Sequence, residues 1–159
     1  MGVLKNHVVR NDAQGGGHFD SSRGARLHRA TDYVVTEGEP IFMPEDGVVE
    51  RRAYPYGNDR RWEGVKIKGY NGIDYKLFYF MPLPDVIGKT IKAGDVIGHA
   101  QAISDKYPST SRPMKDHLHV EMYKNGERIN PELHLNVVPK KKCTNYYCPT
   151  CRGLLSVEF

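Results

Sequence analysis

The sequence predicts an all-β domain, an antiparallel sheet or sandwich with a groove and few, short helices. Three observations predict it. Short runs of β-branched and aromatic residues recur at roughly 8–16-residue spacing, bounded by Gly, Pro, Asn and Asp. Asn71-Gly72 and Asn125-Gly126 stand between such runs, and Asn-Gly suits a tight hairpin turn with positive φ. No window of a dozen residues repeats its apolar positions at helical period.

Residues 1–27 are polar and Gly-rich, with Gly15-Gly16-Gly17 and Asp20-Ser21-Ser22-Arg23-Gly24, and read as loop. Strands follow at Asp32–Val35, Pro40–Met43, Gly47–Ala53, Gly64–Lys68, Tyr75–Phe80, Val96–Ala102 and His117–Tyr123. A short helix fits Pro131–Leu135. Three parts result: a polar N-terminal segment (1–16), a β domain (17–138), and a basic linker with a Cys-containing tail (139–159). There is one internal echo. Thr36-Glu37-Gly38-Glu39-Pro40-Ile41 resembles Lys92-Ala93-Gly94-Asp95-Val96-Ile97, each with a Gly fit for a positive-φ turn before a strand. Two such half-units facing one another would build a sandwich or grooved sheet.

The 159 residues suffice for one domain with a small appendage. A 39% hydrophobic share with 10 Tyr, 5 Phe and 1 Trp supports a real core and argues against global disorder. The longest uncharged apolar-rich stretch, Leu77 to Pro84, falls far short of the ~20 residues of a membrane helix. The net charge of +4 is mild and much of it sits in Lys140-Lys141-Lys142, so no nucleic-acid partner is expected. The segment Met1-Gly2-Val3-Leu4-Lys5-Asn6 lacks the apolar run of a signal peptide. The expectation is a monomer made in the cytoplasm.

Two segments carry the chemistry: His28-Arg29-Ala30-Thr31-Asp32 and His117-Leu118-His119-Val120-Glu121. On a strand, residues two apart share a face, so His117 and His119 point the same way. Two imidazoles on one face, joined by a His and an Asp from another segment, make a natural zinc set with a position left for water. An isolated His is more often a surface or hydrogen-bonded group, and His7, His18, His99 and His134 are read that way.

The order of these segments resembles the lysostaphin-type zinc endopeptidases, the LytM-like peptidoglycan hydrolases. The resemblance rests on His28-x-x-x-Asp32, Ala93-Gly94-Asp95-Val96-Ile97-Gly98, His117-Leu118-His119-Val120-Glu121 and Ile129-Asn130-Pro131 in that order. It covers Gly17 to Leu135. It implies a LytM-like fold with lipoyl-hammerhead-like turns, zinc held by His28, Asp32 and His119, and His117 as general base. It also implies a substrate in the peptide stems or cross-bridges of bacterial peptidoglycan; the retained thiols fit a protein made in a reducing compartment and delivered later, by a phage-type or another export route. Zinc chemistry agrees with that division, because the metal acidifies water toward a pKa of ~7, within reach of a neutral imidazole. Glu121, on the face of His119, is a candidate supporting partner; an ordinary surface acid is the alternative.

The sequence departs from that family in a telling place. Its Tyr-x-His-Leu segment, whose His steadies the oxyanion, reads Phe78-Tyr79-Phe80-Met81-Pro82-Leu83 here. Loss of one oxyanion donor costs on the order of 10²–10³ in rate. Tyr79 is a candidate replacement, as are Tyr75 and Tyr107. Ala30 stands where the family prefers Gly, and Lys115-Asp116 where it often has Gly-Pro. The Phe-Tyr-x-x-Pro pattern with an intact His-x-His resembles the vertebrate leukocyte-derived chemotaxin branch, which keeps zinc as a non-catalytic binding protein. The peptidase reading is preferred over an inactive zinc-binding module for peptide or glycan. The zinc set and His117 are complete, and residues 1–142 lack the cysteines of that disulfide-bonded branch.

The three cysteines, Cys143, Cys148 and Cys151, form a Cys-x4-Cys-Pro-x-Cys tail. It resembles one zinc knuckle short of a fourth thiol, which His134 or a second chain would supply. Iron–sulfur ligation and a solvated tail with free thiols are the alternatives.

Overall fold

A computed structural model describes residues 2–135 and the backbone of two short tail strands, Tyr147–Cys148 and Gly153–Leu154. The elements run β1 (Asn11–Asp12), β2 (Gly15–Gly16), β3 (Thr31–Val34), β4 (Pro40–Phe42), β5 (Gly47–Ala53), β6 (Gly64–Gly69), β7 (Ile73–Phe78) and β8 (Phe80–Pro82). They continue with β9 (Thr90–Ile91), β10 (Val96–Ala100), β11 (His117–Lys124), β12 (Glu127–Ile129) and the single-turn helix α1 (Glu132–Leu135). The main sheet has the order β12-β11-β7-β6-β5-β9, with β3 also paired to β11; a smaller sheet has the order β4-β10-β8. All pairings are antiparallel. The all-β expectation holds.

The echo of Gly38 and Gly94 has a structural counterpart. Both glycines have positive φ, 81° and 88°, and the strands that follow them, β4 and β10, pair with each other. Asn125 and Gly126 both take positive φ, which the β11–β12 hairpin needs.

Alternation sets the layers. Ile73, Tyr75 and Leu77 of β7, Val65 and Ile67 of β6, and Leu118, Val120 and Met122 of β11 turn inward. They join Ile41, Ile97 and Phe80 from the smaller sheet in one core, which removes the apolar faces of both sheets from water. Val3 and Leu4 are buried in the same core, and the Phe42 amide donates to the Val3 carbonyl at 2.8 Å. Among the described residues no helix is long and apolar enough to cross a membrane.

The expected strand Tyr75–Phe80 is corrected. Tyr79 has φ 73°, a conformation that L-residues avoid, and the chain leaves the main sheet there and enters the smaller one as β8. The expected strand Val96–Ala102 stops at Ala100, before a 3₁₀ turn over Ile103–Lys106. The loop over 1–27 contains the β1–β2 pair, and β9 and β12 were not anticipated.

Candidate metal centre

Strand register brings the centre together. β3 runs antiparallel to β11 with Asp32 opposite His119 and Val34 opposite His117. Cross-strand partners share a face, so Asp32 and His119 meet on the side away from the core. His28 lies four residues before Asp32, at the end of a polar turn closed by backbone bonds between Ser21 and His28 and between Asp20 and His28. The expected same-face placement of His117 and His119 is present on β11.

Asp32 Oδ1 lies 2.8 Å from His119 Nδ1 and 3.2 Å from His28 Nε2. One donor atom from each of His28, Asp32 and His119 lies within 4.8 Å of the other two. Tetrahedral zinc at ~2.0–2.1 Å from nitrogen and oxygen needs donors about 3.4 Å apart, so the set would hold that ion after spreading by roughly half an ångström. The outer ring atoms are occupied in the sense a metal site requires. His28 Nδ1 faces the His18 carbonyl at 3.1 Å, and His119 Nε2 faces Glu121 Oε1 at 3.4 Å. In this structure the inward nitrogens face Asp32 as donors; with an ion in place of those protons, each ring would donate its N–H outward and turn its inward lone pair to the metal. Glu121 in turn accepts from the Tyr123 hydroxyl.

His117 stands beside this triangle. Its Nδ1–H donates to the Lys115 carbonyl at 2.8 Å, which leaves Nε2 as the free lone pair, 3.7 Å from Asp32 Oδ2. Burial pushes the His117 pKa down, and the nearby Asp32 only partly offsets this. His117 is therefore a neutral imidazole over the ordinary physiological range, as a proton acceptor must be.

Electrostatics keep Asp32 charged. Burial alone would raise its pKa, but hydrogen bonds from His119 and His28 outweigh that and hold it well below the usual carboxylate range. Burial would lower the His119 pKa, but its bonds to Asp32 and Glu121 outweigh that and raise it to about 9. Glu121 is drawn down to about 2, against burial, by His119, Tyr123 and Arg128.

Sequence reasoning missed a second group of residues. Arg10, 3% exposed, donates to Asp32 Oδ2 at 3.2 Å and clasps Asp12 with two contacts at 2.8 and 2.9 Å. Arg23 reaches the same Asp32 oxygen at 3.5 Å. Gly17 bridges the two segments: its amide donates to Arg10 and its carbonyl accepts from Asp32. No periodicity or spacing links Arg10 or Arg23 to Asp32, so only the fold reveals them.

In the stretch Phe78–Leu83, which stands where the resemblance implies the family His, Met81 is 56% exposed. It lines a second groove with Trp62 and His99, not the one beside His119. Tyr79 does pack at the centre, edge-on to His117 with ring centroids 5.2 Å apart. Its hydroxyl lies 3.1 Å from Tyr56 Oη, which lies 2.7 Å from Tyr107 Oη. Tyr75 is in the core. Of the tail donors, Cys143 and Cys151 lie outside the described residues, and only the backbone of Cys148 is described.

Residues 26–131 match the profile of Peptidase family M23, a span that contains His28, Asp32, His117 and His119. The chain belongs to this family. It is 27% identical over 135 residues to leukocyte cell-derived chemotaxin-2 of Bos taurus, covering 84% of this chain and 83% of that one. It is 33% identical over 106 residues to the peptidoglycan DD-endopeptidase ShyC of Vibrio cholerae, covering 67% of this chain but 22% of that protein. The chain thus spans about a fifth of the length of such bacterial relatives. The solved structure of LytU shares the fold at TM-score 0.59 and 20% identity, covering 84% of this chain and 87% of that one.

Proposed function

We propose that this chain is a zinc metalloendopeptidase that hydrolyses peptide bonds in bacterial peptidoglycan. The observation that carries the reading is the convergence of His28, Asp32 and His119 on one small volume, with the Nε2 lone pair of His117 beside it. His28 Nε2, Asp32 Oδ1 and His119 Nδ1 would hold the ion. A bound zinc polarises the scissile carbonyl and makes water more acidic.

The chain's own residues supply the rest. His117 Nε2 accepts a proton from the attacking water and returns it to the leaving amine. The Lys115 carbonyl fixes the tautomer that allows this. Glu121 holds the outer nitrogen of His119 and so keeps its inner nitrogen aimed at the ion. The linked hydroxyls of Tyr79 and Tyr56 line the groove beside His119 and are the donors available to a developing oxyanion.

The test is metal analysis combined with digestion of purified cell wall. The expected result is about one groove zinc per chain, lysis by the wild type, and loss of lysis with retained zinc in His117→Ala. The alternative reading is an inactive zinc-binding module that binds peptide or glycan. Zinc in both proteins with lysis in neither would select it.

A further inference from the structure

The sheet face that carries His119 continues into a row of charge. In the β11–β7–β6 register, His119 faces Phe78 and then Gly64; two residues along, Glu121 faces Lys76 and then Lys66. These side chains lie on the open side of the sheet, along a groove of about 300 Å³. Lys76, Arg128 and Glu121 form part of its wall, with Tyr54, Tyr56 and Phe78 as the aromatic part.

The charges in this groove are unequally committed. Lys66 is paired with Glu50 at 3.0 Å. Glu121 is the one acid lining the groove, and His119, the Tyr123 hydroxyl and Arg128 already engage it. Arg128 also donates to the Arg29 carbonyl at 3.1 Å. Lys76 has no carboxylate within ion-pair distance among the described residues; its ammonium rests 5.2 Å from the Tyr123 ring centroid. An ammonium with only a ring face for company in a half-buried groove retains its capacity to bind an anion.

Distance then limits what the anion can belong to. A diagonal neighbour two residues along an adjacent strand lies roughly 7–8 Å away, close to two residues of extended peptide. We infer that the groove selects peptides carrying a carboxylate within about two residues of the bond presented to the centre, and that Lys76 receives that carboxylate. The inference rests on reading the groove as the bed of a peptide, and it names the substrate class that bed favours. Tyr54 and Tyr56 give the peptide backbone an aromatic wall with a polar edge, and Arg128 adds a second, partly spent positive charge.

The experiment measures binding, so it does not depend on hydrolysis. Zinc-loaded protein is titrated by NMR with N-acetyl-Ala-Ala-Ala as the free acid, the same peptide C-amidated, and the amidated peptide with Glu at its last position. The wild type is expected to bind at least one carboxylate peptide about tenfold tighter than the neutral one, and added salt should shrink the difference. The two acidic arms separate a terminal from a side-chain carboxylate. Lys76→Met should abolish the preference while zinc content and Tm stay those of the wild type, and Lys76→Arg should keep it. Equal affinities in the wild type overturn the inference. So does a preference that survives Lys76→Met but disappears in Arg128→Gln. A protein that prefers the acid yet cuts nothing refutes the peptidase reading and leaves this one standing; cleavage without preference does the reverse.

Discussion

Arg10 and Asp32 lie 22 positions apart in sequence and meet with Nη2 3.2 Å from Oδ2, each side chain 3% exposed. This contact divides the work of one carboxylate. Oδ2 is held by Arg10 and Arg23, so Oδ1 is left facing His28 and His119. A carboxylate that is free to rotate would present either oxygen to a metal. One pinned by a buried guanidinium presents one.

Arg10→Met should therefore do two things. Removing one member of a buried ion pair leaves the other uncompensated, at a cost of about 3–5 kcal/mol. Loosening an outer partner of a metal ligand lowers affinity by about 10–100-fold. Chemical denaturation and a competitive zinc titration check the two effects separately. Unchanged zinc affinity in a destabilised Arg10→Met would reduce Arg10 to a structural pair.

His28→Ala and Asp32→Ala test the donor set itself. Each should lose stoichiometric groove zinc and with it the stabilisation that a ligand bound only to the folded state provides. Metal analysis and melting with and without added zinc give the readout. Either variant keeping full groove zinc would show that the ligands are other residues.

Gly17 is held where a side chain has no room. A Cβ there would lie 2.8 Å from the Asp32 carbonyl oxygen, 2.9 Å from that of Arg10 and 2.9 Å from Asp32 Cβ. Two of the three atoms are backbone, so relief requires moving the segments that carry Asp32 and Arg10. Gly17→Ala should destabilise the protein by roughly 1–3 kcal/mol, as overpacking does, and weaken zinc binding. Gly24→Ala is no fair control, because its φ of 73° strains any side chain; Gly57→Ala, with open space around it, is. A fall in Tm confined to Gly17→Ala bears the reading out.

Much of this fold is legible in the sequence because alternation and turn chemistry act locally. Gly47–Ala53 has the predicted bounds, and the His117–Lys124 strand carries both histidines on the expected face. The Gly38 and Gly94 turns were visible as sequence echoes. Short edge strands such as Thr90–Ile91 were not, since two residues hold no period. Tyr79 broke a strand that its neighbours predicted to continue, because a non-glycine residue in the left-handed region has no sequence signature. At the centre, the four chemically distinctive side chains could be named from spacing and resemblance. The arginines that orient Asp32 come from a polar stretch without pattern and depend on tertiary convergence.

His7 offers a pH-dependent check on how the N-terminal segment joins the domain. Its ring stacks edge-on against Tyr33 at 5.1 Å, and its Nε2 is buried without a hydrogen-bond partner. Burial pushes the His7 pKa below 6.5, because the interior disfavours the charged ring. The unfolded chain then binds the proton more readily than the folded one. Above 6.5 both forms are neutral and His7 has no pH effect; as pH falls below 6.5 stability is lost, until the folded ring is protonated as well. His7→Phe keeps the ring packing and removes the titration. The stability of His7→Phe relative to the wild type should rise between pH 7.5 and 5, with a slope of at most about 1.4 kcal/mol per pH unit. The other histidines titrate alike in both proteins, so the difference isolates this ring. A difference that stays flat across that range would mean that His7 accepts its proton as easily in the fold as outside it.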